Sequence, residues 1–239
     1  MAGVRERARA GVIAEIVRLA RLQVAESGAA ALSLRAVARD LGMVSSAVYR
    51  YFASRDELLT QLIIDSYDRL GEAAEAADAS VKRRSDYPAR WRAITHGIRQ
   101  WAIDNPSEYA LLFGTPVPGY AAPQDTIGPA GRYTWVLLRL LAEMEASGRT
   151  SAVATPIPVA LRSDLTALRS NLGIPVSDAL LAVGMVAWAN VMGAISLELF
   201  GHLHRVVDTP GALFEAVVRE QGERMFPGTT ASRRPSKRT

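Results

Sequence analysis

The apolar residues of this 239-residue chain recur at helical spacing over most of its length, and the alternating pattern of β-strands is scarce. In residues 8–26, for example, valine, isoleucine and leucine lie three or four positions apart, and Ser27-Gly28 provides a stop. The pattern predicts an all-α fold of nine or ten helices. They are expected at 8–26, 33–41, 45–52, 55–77, 88–104, 107–113, 126–147, 156–171, 177–203 and 210–225.

Composition removes several classes of function. The chain has no cysteine, which excludes disulfide scaffolds, thiolate zinc sites, iron–sulfur clusters and a cysteine nucleophile. Its three histidines, His96, His202 and His204, do not share one helix face, and no metalloprotease, nucleophile-elbow or phosphate-loop motif occurs. We therefore predict neither an enzyme nor a metal or cofactor protein. The charged start lacks the apolar core of a secretory signal, which predicts a cytoplasmic location.

Positive charge is concentrated at the two ends of the chain. Residues 1–60 carry nine arginines against six acidic residues, and residues 229–239 carry four basic residues and no acidic one. The polar composition of residues 229–239 predicts a disordered basic tail.

One uncharged stretch, Ala179 to Leu197, is long enough to span a membrane. It contains two glycines and an asparagine, and acidic Asp178 and Glu198 flank it instead of basic clusters. We interpret it as a helix buried in an all-α core or in a subunit interface, and we predict no membrane association.

Residues 33–55, SLRAVARDLGMVSSAVYRYFASR, have the pattern of a helix-turn-helix. Ser33 is a typical helix cap, and Gly42 permits the positive-φ turn between two short helices. In the second helix Val48 and Phe52, four residues apart, are expected in the core. A plain pair of packed helices is the alternative interpretation of the same pattern.

The remaining side chains of the second helix suit contact with duplex DNA. Ser45, Ser46 and Ala47 are small enough to approach base edges, and Ala47 could contact a thymine methyl. Phosphate contacts are expected from the larger and flanking side chains, which are Ser33, Arg35, Tyr49, Arg50 and Tyr51. No acidic residue occurs from Leu41 to Arg55, so nothing there repels a phosphate backbone.

Residues 34–59 closely resemble the N-terminal domain of the tetracycline-repressor (TetR-like) family of bacterial transcription regulators. The resemblance rests on Leu41-Gly42, on Val48-Tyr49-Arg50-Tyr51-Phe52 and on Ser54-Arg55-Asp56-Glu57-Leu58-Leu59. It implies that Ser45, Ser46 and Ala47 read bases and that Tyr49, Tyr51 and Arg55 contact phosphates. Val44 departs from the family pattern, which has serine or threonine as the helix cap.

The resemblance also implies a larger C-terminal helical domain that binds a small ligand and forms the dimer. We predict a helix-turn-helix domain at 1–54, a connecting helix at 55–81, and a ligand-binding and dimerisation domain at 82–228. Residues expected to contact ligand are the aromatic and polar side chains set among leucines and valines, namely Trp91, Thr95, Tyr109, Phe113, Trp135, Trp188, Asn190 and Met192. Packing in a solid core is the alternative for each of them.

Residues 188–202 resemble a C-terminal subfamily with a Trp–His–Gly motif. Trp188 and Gly193 match it, and Met192 stands at the histidine position. By analogy with the family, the last two helices, about 177–203 and 210–225, are expected to form the homodimer interface.

These features together predict a dimeric transcriptional repressor released from a palindromic DNA operator by a small, largely apolar effector. One alternative is a helical small-molecule carrier whose helix-turn-helix is only structural. Another is a nonspecific nucleic-acid-binding protein driven by the basic tail.

Overall fold

The computed structural model describes residues 2–148 and 157–226, and the predicted tail at 229–239 lies outside them. The described residues form ten α-helices, two short 3-10 turns and no strand, so the all-α prediction is confirmed. The helices are α1 (Ala2–Ser27), α2 (Leu34–Asp40), α3 (Ser45–Val48), α4 (Arg55–Ser80), α5 (Tyr87–Asp104), α6 (Pro106–Phe113), α7 (Ile127–Ala146), α8 (Val159–Leu172), α9 (Asp178–Leu199) and α10 (Pro210–Met225). The 3-10 turns are Ala29–Ala31 and Gln124–Thr126.

Helix α1 begins at Ala2, whereas the apolar pattern predicted a start near residue 8. The additional turns contain alanine, arginine and glutamate, which favour helix by intrinsic propensity. They carry no apolar stripe, because they do not pack against a core. Hydrophobic periodicity therefore could not reveal them.

Contacts divide the chain into two compact units. Unit 1 comprises Met1–Arg69 and Asn105–Arg132, and unit 2 comprises Leu70–Asp104 and the chain from Tyr133 onward. The predicted boundaries at 54 and 81 follow the ends of α4, whereas the contact division falls inside α4 and places α6 with the N-terminal helices.

Unit 1 is built on a core contributed by α1, α2, α3 and the start of α4. Ile16, Val37, Val48 and Leu58 are each fully buried in it. Gly28 and Gly42 have φ values of +77° and +66°, in the left-handed region that glycine adopts without strain. The turns predicted at both positions are therefore present, and α2 packs against α3.

Helix α3 is shorter than predicted. The main-chain nitrogen of Tyr49 still donates to Ser45, but Arg50 donates to Ala47 and Tyr51 to Val48, in the tighter i→i+3 pattern. The predicted helix at 45–52 is thus α-helical for four residues and continues as turns. Its cap position is Val44, whose side chain supplies no capping hydrogen bond.

Unit 2 is held together by buried aromatic and charged side chains. The Trp91 indole of α5 donates to the carbonyl oxygen of Val218 in α10 at 2.8 Å. The guanidinium of Arg90 is 1% exposed and bonds Asp78 of α4, at 2.8 Å from Nε to Oδ1, and Glu143 of α7. These contacts tie α4, α5, α7 and α10 of this unit to one another.

Helix α9 has the length and apolar character required to cross a membrane, with a mean hydropathy of 1.9 over its most apolar window. Half of that window is buried inside the fold. Leu180, Ala187 and Ile195 on its buried face are fully inaccessible, as in the core helix of a globular protein.

Candidate nucleic-acid interface and apolar cavity

Helix α3 and the turn after it present a polar surface to solvent. Ser46, Tyr49 and Arg50 are exposed, while Ser45 and Ala47 are half-buried. Val48 is buried completely and Phe52 almost completely, as the helical spacing predicted. Because the two apolar side chains anchor the helix from below, the small and cationic ones stand on its outer face. Their contacts with DNA stay predictions.

Ser33 and Arg35 lie at the start of α2. The Ser33 hydroxyl accepts a hydrogen bond from the main-chain nitrogen of Ala36 at 3.4 Å, which is the predicted cap. The main-chain nitrogen of Ser33 donates to the Gln23 side chain of α1 at 3.3 Å. Arg35 is exposed. Ser33 therefore has a structural task at this helix start, in addition to any role towards DNA.

Arg55, assigned to a phosphate by the resemblance, points towards its own chain. Its guanidinium donates to the carbonyl oxygens of Ala29 at 2.9 Å, Ala30 at 3.1 Å and Leu32 at 3.2 Å. These carbonyls belong to the 3-10 turn between α1 and α2 and to the residue that follows it. Arg55 therefore links that turn to the start of α4. The sequence pattern did not indicate this structural role.

Tyr51 is half-buried and packs against the unit 1 core. The guanidinium carbon of Arg9 in α1 lies 5.2 Å from the centroid of its ring, within cation–π range. The N-terminal part of α1 therefore lies beside the end of the helix-turn-helix. Sequence reasoning missed this neighbour because Arg9 precedes the apolar stripe of α1.

Several residues predicted to contact ligand have other tasks in unit 2. Trp91 packs between α5 and α10, where a Cβ added at Gly222 would come within 3.2 Å of its ring. The Thr95 hydroxyl, fully buried, donates back to the carbonyl oxygens of Trp91 and Arg92. Met192 is buried on the inner face of α9.

The other predicted ligand residues are scattered. Tyr109 and Phe113 belong to unit 1, where their ring centroids lie 4.9 Å apart and Tyr109 is fully buried. Trp135 and Asn190 of unit 2 are exposed, and the Asn190 amide donates to the carbonyl oxygen of Val186 one turn back. The structure thus does not gather the eight predicted residues into one site.

Trp188 is the predicted ligand residue that does line a cavity. Its indole nitrogen donates to the Tyr133 hydroxyl at 3.2 Å, which sets the orientation of its ring. The cavity has a volume of about 230 Å³ and lies between α7, α8 and α9 within unit 2. Its walls are almost wholly apolar and comprise Thr134, Leu137, Leu138, Leu141, Leu168, Leu172, Leu181, Gly184, Met185 and Trp188.

No group of three histidine, aspartate or glutamate side chains that could hold a metal ion occurs within residues 2–148 and 157–226. His96 of α5 is half-buried, and its Nε2 lies 2.8 Å from the carboxylate of Glu215 in α10. Hydrogen bonds from Arg92 lower the pKa of Glu215, burial opposes this effect, and His96 adds to it. Arg92, His96 and Glu215 therefore link α5 to α10.

A helix-turn-helix anchored on a core from α1, α2, α3 and the start of α4, followed by a separate helical unit with an apolar cavity, is the architecture of a DNA-binding regulator. Two family models match the chain. The model described as "Bacterial regulatory proteins, tetR family" matches residues 16–62, and "Tetracyclin repressor-like, C-terminal domain" matches residues 91–221. Together they cover the helix-turn-helix and most of unit 2.

Relatives and solved structures agree with these matches. HTH-type transcriptional regulator Rv1816 of Mycobacterium tuberculosis and Mb1846 of Mycobacterium bovis are each 43% identical over 221 residues, covering 91% of this chain and 93% of theirs. A crystal structure described as a regulatory protein, SCO4313, superposes with a TM-score of 0.75 at 36% identity, covering 90% of this chain and 97% of that one. The regulator PfmR of Thermus thermophilus, at 17% identity and a TM-score of 0.55, covering 85% of this chain and 97% of its own, shares the fold.

The chain therefore belongs to the TetR family and is a DNA-binding transcriptional regulator. The resemblance that identified the family from residues 34–59 is confirmed. The finer likeness of residues 188–202 to the Trp–His–Gly subfamily stays a prediction.

Proposed function

We propose that two copies of this chain bind one palindromic operator in the cytoplasm as a repressor and that a small apolar effector releases them. The observation that supports the proposal best is an exposed apolar face on α9. A palindromic operator is bound by two copies related by two-fold symmetry, and this face suits the contact between those copies. Met185, Val186, Leu197 and Phe200 on this face are each about 40–50% exposed. The regulator needs no catalytic group for this task.

The exposed face of α9 suits an isologous contact. Ala189 and Gly193, one turn apart at its centre, are both exposed, and a Cβ added at Gly193 would meet nothing within 4 Å. Small residues at this spacing let a second helix approach closely, and the apolar side chains around them would be buried. A two-fold axis through α9, with α10 beside it, would present two recognition helices about 34–36 Å apart.

Within each copy, we assign the reading of bases to Ser45, Ser46 and Ala47. Phosphate contacts fall to Ser33, Arg35, Tyr49, Arg50 and Tyr51. Arg55 is left out of this set, because three main-chain carbonyls already accept its hydrogen bonds. The assignment rests on exposure, on the absence of acidic side chains from Leu41 to Arg55, and on the chemistry of the groove.

We infer that the effector occupies the cavity between α7, α8 and α9. Its volume of about 230 Å³ suits a compact molecule, and its leucine-rich walls favour an uncharged one. α4 and α7 each begin in unit 1 and end in unit 2, and α7 also lines the cavity. These two helices are therefore the elements through which occupancy would change the spacing of the two DNA-binding units in the dimer. An effector that prefers one spacing shifts the population of DNA-competent dimers.

The test is selection of duplexes from a random-sequence pool by the full chain, run in parallel with Gly193→Glu. The glutamate enters open space on α9, so the variant should fold, yet it places like charges opposite each other in a dimer. We expect the parent to enrich an inverted repeat as a dimer and Gly193→Glu to sediment as a monomer with lost enrichment of the repeat. Ile127→Glu, an exposed apolar residue on α7, is the matched control. Enrichment of a single non-repeated element by a monomeric parent would overturn the proposal.

A further inference from the structure

We propose that the first turns of α1 form a second DNA-contacting element, in which Arg5 and Arg9 bind phosphates that flank the base pairs under α3. The proposal rests on the proposed function, because it takes α3 as the element that enters the major groove. It adds a contact outside the helix-turn-helix. We call residues 3–10 of α1 the arm.

The arm is a strongly charged, unpacked segment. All of its residues are exposed, and it carries Arg5, Arg7 and Arg9 against the single acidic residue Glu6. Because the arm lies beyond the core, burial of apolar side chains does not stabilise it. Its cationic side chains are therefore available to a partner in solution.

Arg5 and Arg9 face the same way as the buried side of α1. With about 100° of rotation per residue, positions 5, 9, 12 and 16 fall on one stripe of the helix. Ile16 on that stripe is fully buried, and Val12 packs against the same core. Towards the N-terminus of α1, the residues on this stripe change from apolar to arginine where the core ends. Arg5 and Arg9 therefore lie just beyond the edge of the core, on the same side of the helix as the buried residues.

A direct contact connects this edge with the helix-turn-helix. Arg9 stacks on the ring of Tyr51, with its guanidinium carbon 5.2 Å from the centroid. Stacking uses the face of the guanidinium, while its N–H donors point outward in the plane, where a phosphate can accept them. Tyr51 lies in the turn that follows α3, three residues after its end, so the arm continues the candidate nucleic-acid interface.

Arg5 extends this surface away from α3. Four helical residues span about 6 Å, which is roughly two base-pair steps of a duplex. Within the described residues, the Arg5 side chain forms no hydrogen bond or ion pair. Charge complementarity and continuity with α3 both favour duplex phosphates as the occupant of this surface.

Arg7 provides an internal contrast. It lies about 200° around the helix from Arg5, on the other side of the arm. Its Nε donates to the main-chain oxygen of Gly3 at 2.9 Å, so the side chain folds back along its own helix. The same residue type in the same arm is therefore directed away from the proposed contact.

The experiment compares Arg5→Gln/Arg9→Gln with Arg7→Gln in the full-length protein, using the duplex that the parent enriches from a random pool. The dissociation constant is measured from low to high salt. Each phosphate contact contributes about 0.9 to the slope of log affinity against log salt. The double variant lacks two contacts in each of the two bound copies, so we expect it to lose about 3.6 from that slope. The Arg7→Gln variant should keep the parental slope. The basic residues at 229–239 are present in all three proteins, so their charge cancels.

A second measurement uses duplexes trimmed at both ends to the base pairs covered by the two α3 helices. The parent and the double variant should then bind equally, because the flanking phosphates are absent. Thermal melting of each variant checks that it folds. A double variant that melts like the parent and keeps the full salt slope on long duplexes overturns the proposal, whereas a parent that selects no sequence overturns the proposed function instead.

Discussion

The hydroxyl of Ser66 in α4 lies 3.0 Å from the carboxylate of Glu108 in α6, and both side chains are buried. Arg69 of α4 bonds the other carboxylate oxygen, and Arg21 of α1 lies 3.5 Å from it. The same Arg69 donates to the Asn105 side chain at the start of α6. One acidic side chain thus joins α1, α4 and α6 within unit 1, which explains why α6 groups with the N-terminal helices.

Replacing Glu108 should destabilise unit 1. Glu108→Gln removes the charge that Arg69 and Arg21 face, and we expect a loss of about 2 kcal/mol in the free energy of unfolding. Ser66→Ala should cost less, about 1 kcal/mol, because the two arginines still hold the carboxylate. Denaturant titration measures both. Equal losses for the two variants would contradict the central position of Glu108.

Substitution of Arg55 should separate bracing from phosphate binding. Arg55→Lys keeps the positive charge but replaces the planar guanidinium, which donates to three carbonyl oxygens, by a single ammonium group. Some of these hydrogen bonds are then lost, so the melting temperature should fall by several degrees. The salt dependence of DNA affinity should stay at the parental slope, because the charge is retained and no phosphate contact is lost. Arg55→Gln should likewise keep that slope if the side chain only braces. A slope reduced by about 1.8 in Arg55→Gln, which is one phosphate contact in each of two copies, would restore the phosphate role implied by the family pattern.

Ser46 and Tyr49 should differ in their effects on DNA. Tyr49→Ala removes a predicted phosphate contact and should weaken binding to all duplexes by a similar factor. Ser46→Ala removes a predicted base contact and should change which operator is preferred, by about 1–3 kcal/mol at the position it reads. Competition between duplex variants measures both. Uniform weakening by both substitutions would contradict the assigned roles.

Unit 2 should lose stability in acid through Asp78. Burial by itself raises the pKa of Asp78, but hydrogen bonds and charges from Arg90 and Arg84 outweigh it and hold the pKa below its ordinary 3.8. A lowered folded-state pKa means that the stabilisation is complete above the unfolded value and is lost as pH falls through the folded one. Asp78→Asn should therefore cost about 3 kcal/mol at pH 7, since it deprives buried Arg90 of a partner. The difference from the parent should shrink below pH 4, and a difference independent of pH would refute the ion pair.

Filling the cavity should abolish binding of apolar molecules there. Toluene serves as the probe, because a molecule that binds only the folded state raises the melting temperature with concentration. We expect such a rise for the parent and none for Leu172→Trp, whose larger side chain occupies the space between α8 and α9. Val159→Trp, exposed at the start of the same helix, is the matched control. A similar rise in all three proteins would place the toluene elsewhere.

Local sequence pattern was enough for the fold class and for the core of the helix-turn-helix. Val48 and Phe52 are buried because their four-residue spacing places them on one face of the segment. The chain turns at Gly42 because glycine adopts its positive φ without strain. Both properties depend on near neighbours in the chain. They can therefore be read without knowing what the segment packs against.

The all-α class, the family and the outward face of α3 can thus be inferred from the order of the amino acids alone. Other features become visible only in the folded chain: Arg55 braces a turn, Trp188 lines a cavity while Trp91 packs against α10, and Arg9 stacks on Tyr51. An aromatic or arginine side chain can pack against or bond to several kinds of partner, and the sequence of its own segment does not indicate which one it contacts. That choice depends on which helices meet, and helix packing joins residues that are far apart in the chain.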